Sequence, residues 1–164
     1  MLHVVLVEPE IPPNTGNIAR LCIATEAALH LVGPLGFSID DRALRRAGMD
    51  YWQYCNVRRW NDFETFVRES GAKRFFLLTT KAKRAYWDET FAAGDALVFG
   101  RESRGLPQSL LDAHPAQCLT IPMPGAHARS LNLATSVGIV LYEALRALRV
   151  GNGGLQCSPQ PPPR

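Results

Sequence analysis

The stretch "ALVFGRESRGLPQSLLDAH", residues 96–114, decides how the chain is read. Ala96 to Gly100 form an apolar run short enough for a buried strand, and Arg101 to Gly105 form a polar loop. From Pro107 onward, Leu110 and Leu111 predict a short helix over 107–114. Strand, loop and helix in that order are the repeating unit of a parallel sheet. Gly100 and Gly105 have the spacing that opens a phosphate-binding P-loop, but Leu106 and Pro107 stand where that loop needs a lysine and a hydroxyl residue. A triphosphate site is therefore not supported.

Working outward, the same alternation covers most of the chain. Further strands are expected at "HVVLV" (3–7), "LHLVG" (29–33), "RFFLLTT" (74–80) and "CLTIP" (118–122). Helical spacing separates them. Residues 14–28 place Ile18, Leu21, Cys22 and Thr25 on one stripe, with Asn14 or Thr15 as N-cap after Pro12-Pro13, and "NDFETFVRES" (61–70) is a shorter helix. The longest helix is expected over 132–149, its apolar stripe made by Leu133, Val137, Val140, Leu141, Ala144, Leu145 and Leu148. Its second face carries Thr135, Gly138, Tyr142, Arg146 and Arg149, which either pairs subunits around the small Gly138 or faces solvent. The expected class is α/β, a mostly parallel sheet layered with helices.

A chain of 164 residues with 46% apolar content is long enough to bury one core, so residues 1–150 are expected to form a single domain. After Val150, "GNGGLQCSPQPPPR" (151–164) is too rich in Gly and Pro to extend that core and reads as a flexible tail. With no run of 18 apolar residues and no secretory pattern after Met1, a soluble cytoplasmic protein without membrane attachment is expected. Cys22, Cys55, Cys118 and Cys157 form no C-x-x-C pair, so they read as reduced structural thiols and no metal site is indicated. Net charge is only +3, but 15 arginines stand against 3 lysines. Arg45-Arg46, Arg58-Arg59, Lys73-Arg74 and Lys81-Ala82-Lys83-Arg84 are candidates for a phosphate-facing patch, although a GC-rich genome would also favour arginine.

Three loops are candidates for chemistry, since α/β proteins bind ligands outside the carboxyl ends of their strands. In "EPEIPPNTGNIAR" (8–20), prolines stiffen the backbone, and Asn17 and Arg20 are i,i+3 neighbours pointing away from the apolar stripe. An arginine at the mouth of a sheet can bind phosphate or stabilise a developing oxyanion, or form a surface salt bridge. The second loop is the opening one. The third, "IPMPGAHARSLNL" (121–133), ends in Ser130 and Asn132, which either cap the long helix or contact a ligand. H-E-x-x-H, G-x-S-x-G and G-x-G-x-x-G are absent, and with them the commonest hydrolase and dinucleotide signatures.

Taken together and in order, "NTGNIAR", "FGRESRGLP" and "IPM…RSLNLATSVGIVLYEALR" resemble the motifs of the SPOUT superfamily of RNA methyltransferases. The opening "VLVEPEIPPNTGNIARLC", with "LRRAGMDYW" (44–52) and "LTTK" (78–81), is similar to the small TrmL-type tRNA (cytidine/uridine-2′-O)-methyltransferases. This resemblance spans residues 1 to about 150. It implies an α/β knot, in which the C-terminal part of a parallel sheet flanked by helices threads a loop to form a trefoil knot. It also implies a homodimer that binds S-adenosylmethionine in the knot and methylates the wobble nucleotide in the anticodon stem-loop of tRNA. Carried over by motif, Asn14 and Arg20, Gly100 and Glu102, and Ser130 and Asn132 are the implied site residues. Leu78, Gly100, Ile121 and Ser130 match cofactor-pocket positions, and Tyr142 matches a residue linked to substrate handling, with packing as its other reading. Glu26 stands where relatives often carry a helix-ending glycine.

Within that resemblance, Arg20 is expected to stabilise the 2′-oxyanion or an adjacent phosphate, because a guanidinium with pKa above ~12 is a poor base. Glu102 would orient Arg20 or the substrate, Asn14 would fix the loop, and Ser130 with Asn132 would close the site. Two other readings remain at this level. One is a 2′-O-methyltransferase acting on rRNA or another tRNA position; the other is a non-catalytic RNA-binding protein.

Overall fold

Strand β1 (His3–Val7) is buried along its length and pairs in parallel with two neighbours, which makes it the centre of the molecule. The computed structural model describes residues 1–37 and 52–151. Arg45-Arg46, most of "LRRAGMDYW", Cys157 and the tail from 152 lie outside the described residues. The further strands are β2 (Ala28–Val32), β3 (Val57–Trp60), β4 (Arg74–Leu78), β5 (Asp95–Phe99) and β6 (Cys118–Leu119). They form one six-stranded sheet in the order β3-β2-β1-β5-β4-β6, with every pairing parallel. A parallel sheet needs cover on both faces, which is why β1, β2 and β5 are buried at every position and mostly apolar.

Two layers supply the cover. On one face, α1 (Pro12–Thr25) and α4 (Leu133–Gly151) pack on Val4, Leu6, Leu29, Leu31, Leu97 and Phe99 through Ile18, Cys22, Val137, Val140 and Leu141. On the other, α2 (Phe63–Glu69) and α3 (Gln108–Ala113) bring Phe63, Phe66 and Leu111 onto Val5, Val7, Leu77 and Val98. The apolar stripe read from α4 is thus the packed one, and the helix runs on to Gly151 rather than stopping near Arg149. Gly138 sits against the Leu21 side chain of α1 in the same chain, where an added Cβ would lie 3.7 Å from it. That is an ordinary van der Waals distance, so the α1–α4 contact leaves room for a methyl group there.

Helix ends explain several boundaries. Pro12 and Pro13 start α1 two residues before the expected cap, because proline is preorganised for the first turn and lacks the N–H that would go unpaired there. Asn14 and Thr15 are therefore inside the helix, not N-caps. Asp62 caps α2 by accepting from Thr65 N–H at 2.7 Å. Glu26 ends α1 at φ 54°, ψ 28°, a left-handed conformation that glycine adopts without strain.

Two strand expectations change. β3 was not expected, since Arg58 and Arg59 interrupt its apolar pattern; as an edge strand paired only with β2, it can leave both exposed. "CLTIP" contributes only Cys118 and Leu119 to regular sheet. The segment nevertheless bonds on both sides: Thr79 N–H donates to Leu119 O at 2.9 Å, while Thr120 N–H donates to Arg84 O at 2.8 Å and Tyr86 N–H to Thr120 O at 2.9 Å. The 79–86 loop therefore straddles it.

At the amino edge of the sheet, Asp95 is buried to 1% exposure and takes a two-pronged bond from Arg74, Nε to Oδ1 at 2.9 Å and Nη2 to Oδ2 at 2.6 Å. Arg74 also lies over the Phe76 ring. Its guanidinium is thus engaged by a carboxylate within the fold. Cys22, Cys55 and Cys118 are free thiols, all three raised by burial. Among the described residues, no helix is long and apolar enough to cross a membrane.

Under α2, Trp60 Nε1–H donates to His30 Nδ1 at 2.9 Å, so His30 Nε2 carries the proton that faces His3 Nδ1, also at 2.9 Å. Burial, then His3 and Arg58, lowers His30 to about 3; burial, then the N-terminal ammonium and Arg58, lowers His3 as well. Both rings stay neutral in the fold while the unfolded chain protonates them below about pH 6.5. Stability present above that pH is therefore lost as pH falls toward 3. In His30→Gln, which can keep an acceptor for Trp60, the loss between pH 7.5 and 5 should shrink by roughly 1–2 kcal/mol, measured by urea unfolding. Glu26→Gly should raise stability by about 1 kcal/mol, seen as a higher urea midpoint at unchanged slope.

Candidate active site

Chain order reverses between β1 and β5: from β1 the sheet grows toward β2 and β3, and from β5 toward β4 and β6. Loops leaving the carboxyl ends of two such strands diverge and open a crevice. A cavity of about 500 Å³ lies there. It is walled by 78–81 after β4, 99–106 after β5, Ile121 and Met123 after β6, and 130–133 at the start of α4, with Ile11 and Asn14 closing the side. Leu78, Gly100, Ile121 and Ser130, the residues matched to cofactor positions, all line it, as do Asn14, Glu102 and Asn132. Arg20 and Tyr142 do not. Arg20 is exposed on α1, and Tyr142 is 54% exposed on α4.

Glu102 organises the wall. Its Oε2 accepts from Glu10 N–H at 2.8 Å, and its Oε1 accepts from Ile11 N–H at 3.2 Å and from Asn14 Nδ2 at 3.0 Å. Asn14 Oδ1 in turn accepts from Asn132 Nδ2 at 3.0 Å. Asn132 Oδ1 accepts from Ala134 N–H at 2.9 Å and Thr135 N–H at 3.3 Å, so Asn132 both caps α4 and lines the cavity. Capping and site contact, which the sequence left as alternatives, belong to one side chain. Ser130 has no part in the cap.

A second strap runs the opposite way. The Glu10 carboxylate accepts from Ser103 N–H at 3.1 Å and Ser103 Oγ at 2.9 Å, and Arg101 pairs with Glu8. Sequence reading passed over Glu10, whose only signal was an acidic residue in a proline-stiffened loop. The hairpin itself closes when Arg101 and Gly105 exchange both backbone hydrogen bonds. An added Cβ on Gly100 would lie 2.1 Å from Gly105 C and 2.2 Å from Leu106 N. Gly100 is therefore required by the return of its own loop, a nearer cause than approach to a ligand.

Because Glu102 receives three N–H groups, replacing one carboxylate oxygen with an amide turns donor toward donor. Glu102→Gln is expected to lower stability by about 2 kcal/mol, read from the urea midpoint. A midpoint equal to the wild type would remove the carboxylate from this role.

Residues 1–142 match the SpoU rRNA Methylase family. The tRNA (cytidine(34)-2′-O)-methyltransferases of Aeromonas hydrophila subsp. hydrophila and Escherichia coli (strain K12) are each 50% identical over 149 residues, 90% of this chain and 95% and 94% of theirs. A solved structure described as "Structural insights into the 2-OH methylation of C/U34 on tRNA" aligns with a TM-score of 0.81 at 44% identity, covering 90% of this chain and 95% of that one. An AdoMet-bound rRNA methyltransferase from Sinorhizobium meliloti aligns at 0.75 and 28% identity, covering 90% of this chain and 56% of that one. With the family matched across most of its length and relatives of half-identical sequence matched nearly end to end, this chain belongs to the SpoU methylase family of SPOUT RNA methyltransferases.

Proposed function

We propose that this chain transfers a methyl group from S-adenosylmethionine to the ribose 2′-hydroxyl of the wobble nucleotide, position 34, in the tRNA anticodon loop. The observation that carries the reading is the cavity at the β1/β5 switch, where loops matching all three family motifs are joined by the Glu102–Asn14–Asn132 chain. The half-identical relatives named for that reaction support the same substrate.

The cavity fits the cofactor. Its volume lies within the range of small-molecule sites. Leu78 and Ile121 offer aliphatic faces to a base, and the Ser130 hydroxyl and the backbone at Gly100 offer polar contacts. When bound, S-adenosylmethionine supplies a sulfonium methyl that is already electrophilic. What remains for the protein is alignment, which can account for roughly 7–11 kcal/mol of barrier reduction. Asn14, Glu102 and Asn132 hold the walls in place, Ser130 closes the site over the ribose, and Arg20 stabilises the 2′-oxyanion or a neighbouring phosphate. Arg20 and Tyr142 sit on exposed helix faces outside the cavity lining, where incoming RNA or a second subunit meets them. In this reading residues 1–150 act as one domain, as a homodimer in the cytoplasm. The 79–86 loop straddling 118–120 supports the finer topology, a trefoil knot formed as the chain passes through that loop.

Incubating the protein with labelled S-adenosylmethionine and unmodified total tRNA, then mapping the label, should give one 2′-O-methylated nucleotide at position 34. Label on rRNA alone would replace the substrate, and no label on any RNA would leave an RNA-binding protein. Arg20→Ala is expected to slow transfer ~10²-fold or more with cofactor affinity near wild type; near-normal turnover would remove Arg20 from the chemistry.

A further inference from the structure

A second cavity, of about 580 Å³, adjoins the first and shares Thr79, Lys81 and Leu111 with it. Lys83, Arg84 and Cys118 add to its walls, and Pro115 and Ala116 complete an apolar floor with Leu111. Three cations and one carboxylate, Asp112, thus line an opening beside the proposed reaction site.

The groups on this wall are not equally available. Arg84 Nη2 lies 3.1 Å from the Glu89 carboxylate and donates to Ala116 O at 3.0 Å, so it holds the 115–117 turn. Asp112 is engaged by Gln108 Nε2 at 2.7 Å, and Gln108 Oε1 accepts from Lys81 Nζ at 2.5 Å. Lys83 is exposed, and among the described residues it has no hydrogen bond or ion pair. A cavity with an uncompensated ammonium on its rim and an apolar floor matches one nucleotide of single-stranded RNA, whose phosphate is anionic and whose base has an apolar face.

We infer that this second cavity seats the nucleotide next to the one that is methylated, with Lys83 and Lys81 on its phosphate and its base over Leu111 and Pro115. The inference rests on the proposed methyl transfer to RNA. Consecutive nucleotides are joined through a single phosphodiester, so a strand with its reacting ribose at the first cavity must place a neighbour close beside it. The shared wall at Thr79 and Lys81 is that place.

The test uses the full chain and an unmodified anticodon stem-loop RNA. Lys83→Glu should weaken RNA binding about tenfold by fluorescence anisotropy and lower the slope of log affinity against log salt by about 1. Its S-adenosylmethionine affinity and urea midpoint should match the wild type. Separately, 4-thiouridine placed on either side of position 34 should crosslink to peptides holding 81–84 or 115–118. Unchanged RNA affinity and slope in Lys83→Glu, or crosslinks confined to other peptides, would overturn the assignment while leaving methyl transfer intact. Conversely, a wild type that methylates no RNA but binds and crosslinks through Lys83 would retain the cavity and remove the reaction.

Discussion

The Glu102 carboxylate fixes the relative position of the two loops on which the site is built. It joins residue 102 to 10, 11 and 14, partners 88 to 92 positions away in sequence. Hydrogen bonds to a charged acceptor contribute about 1.5–3 kcal/mol each, more than neutral ones. Through Asn14 the constraint reaches Asn132, a further 118 positions along, and so the first turn of α4. One chain of bonds therefore sets both a cavity wall and the start of the longest helix. Such a network rigidifies only when its members are paired, and Glu102, Asn14 and Asn132 all are.

The two ends of the sheet differ: the amino edge holds an ion pair with a buried carboxylate and the carboxyl edge holds the cavity. At the amino edge, Arg74 and Asp95 sit opposite each other in the β4–β5 register, and Asp95 Oδ2 also accepts from Ala92 N–H at 2.7 Å. A buried carboxylate satisfied in this way pins the register, whereas removing one partner would strand a charge. The carboxyl edge keeps its loops for the cavity. The basic residues that the sequence presents as one class separate by partner: Arg74 and Arg84 are tied to Asp95 and Glu89, whereas among the described residues Arg58, Arg59 and Lys83 have no ion pair.

What the sequence made legible follows from whether a signal is local. β1, β4 and β5 are short apolar runs between turn residues, and α4 has a long stripe, so each could be read in isolation. β3 could not, because Val57 and Trp60 are half-buried and the two arginines between them face solvent at a sheet edge. Motif order brought Leu78, Gly100, Ile121 and Ser130 to one cavity. The roles within it depended on contacts between distant loops. Asn14, a cap candidate by position, is an internal link; Gly100, matched to a cofactor-pocket position, lines the cavity and also closes its own loop; and Glu10 carries no signal beyond its charge. The His3–His30–Trp60 chain escaped notice for the same reason, since its members come from three strands.

The way the site is tied together also bears on which groups can act in the proposed reaction. Asn14 and Asn132 carry no titratable proton, and three of the roughly four lone-pair positions of the Glu102 carboxylate are directed at Glu10, Ile11 and Asn14. These three side chains are thus engaged in holding the geometry of the walls. With an electrophile as strong as a sulfonium methyl, holding geometry is the larger need, and the remaining electrostatic work falls to a permanently charged group. Arg20 meets that description on an exposed helix face, where contact with the ribose requires the RNA to come to it. In the proposed reaction, a rigid cavity for the cofactor and an open face for the nucleic acid are then two sides of one arrangement, joined at α1, which carries both Asn14 and Arg20.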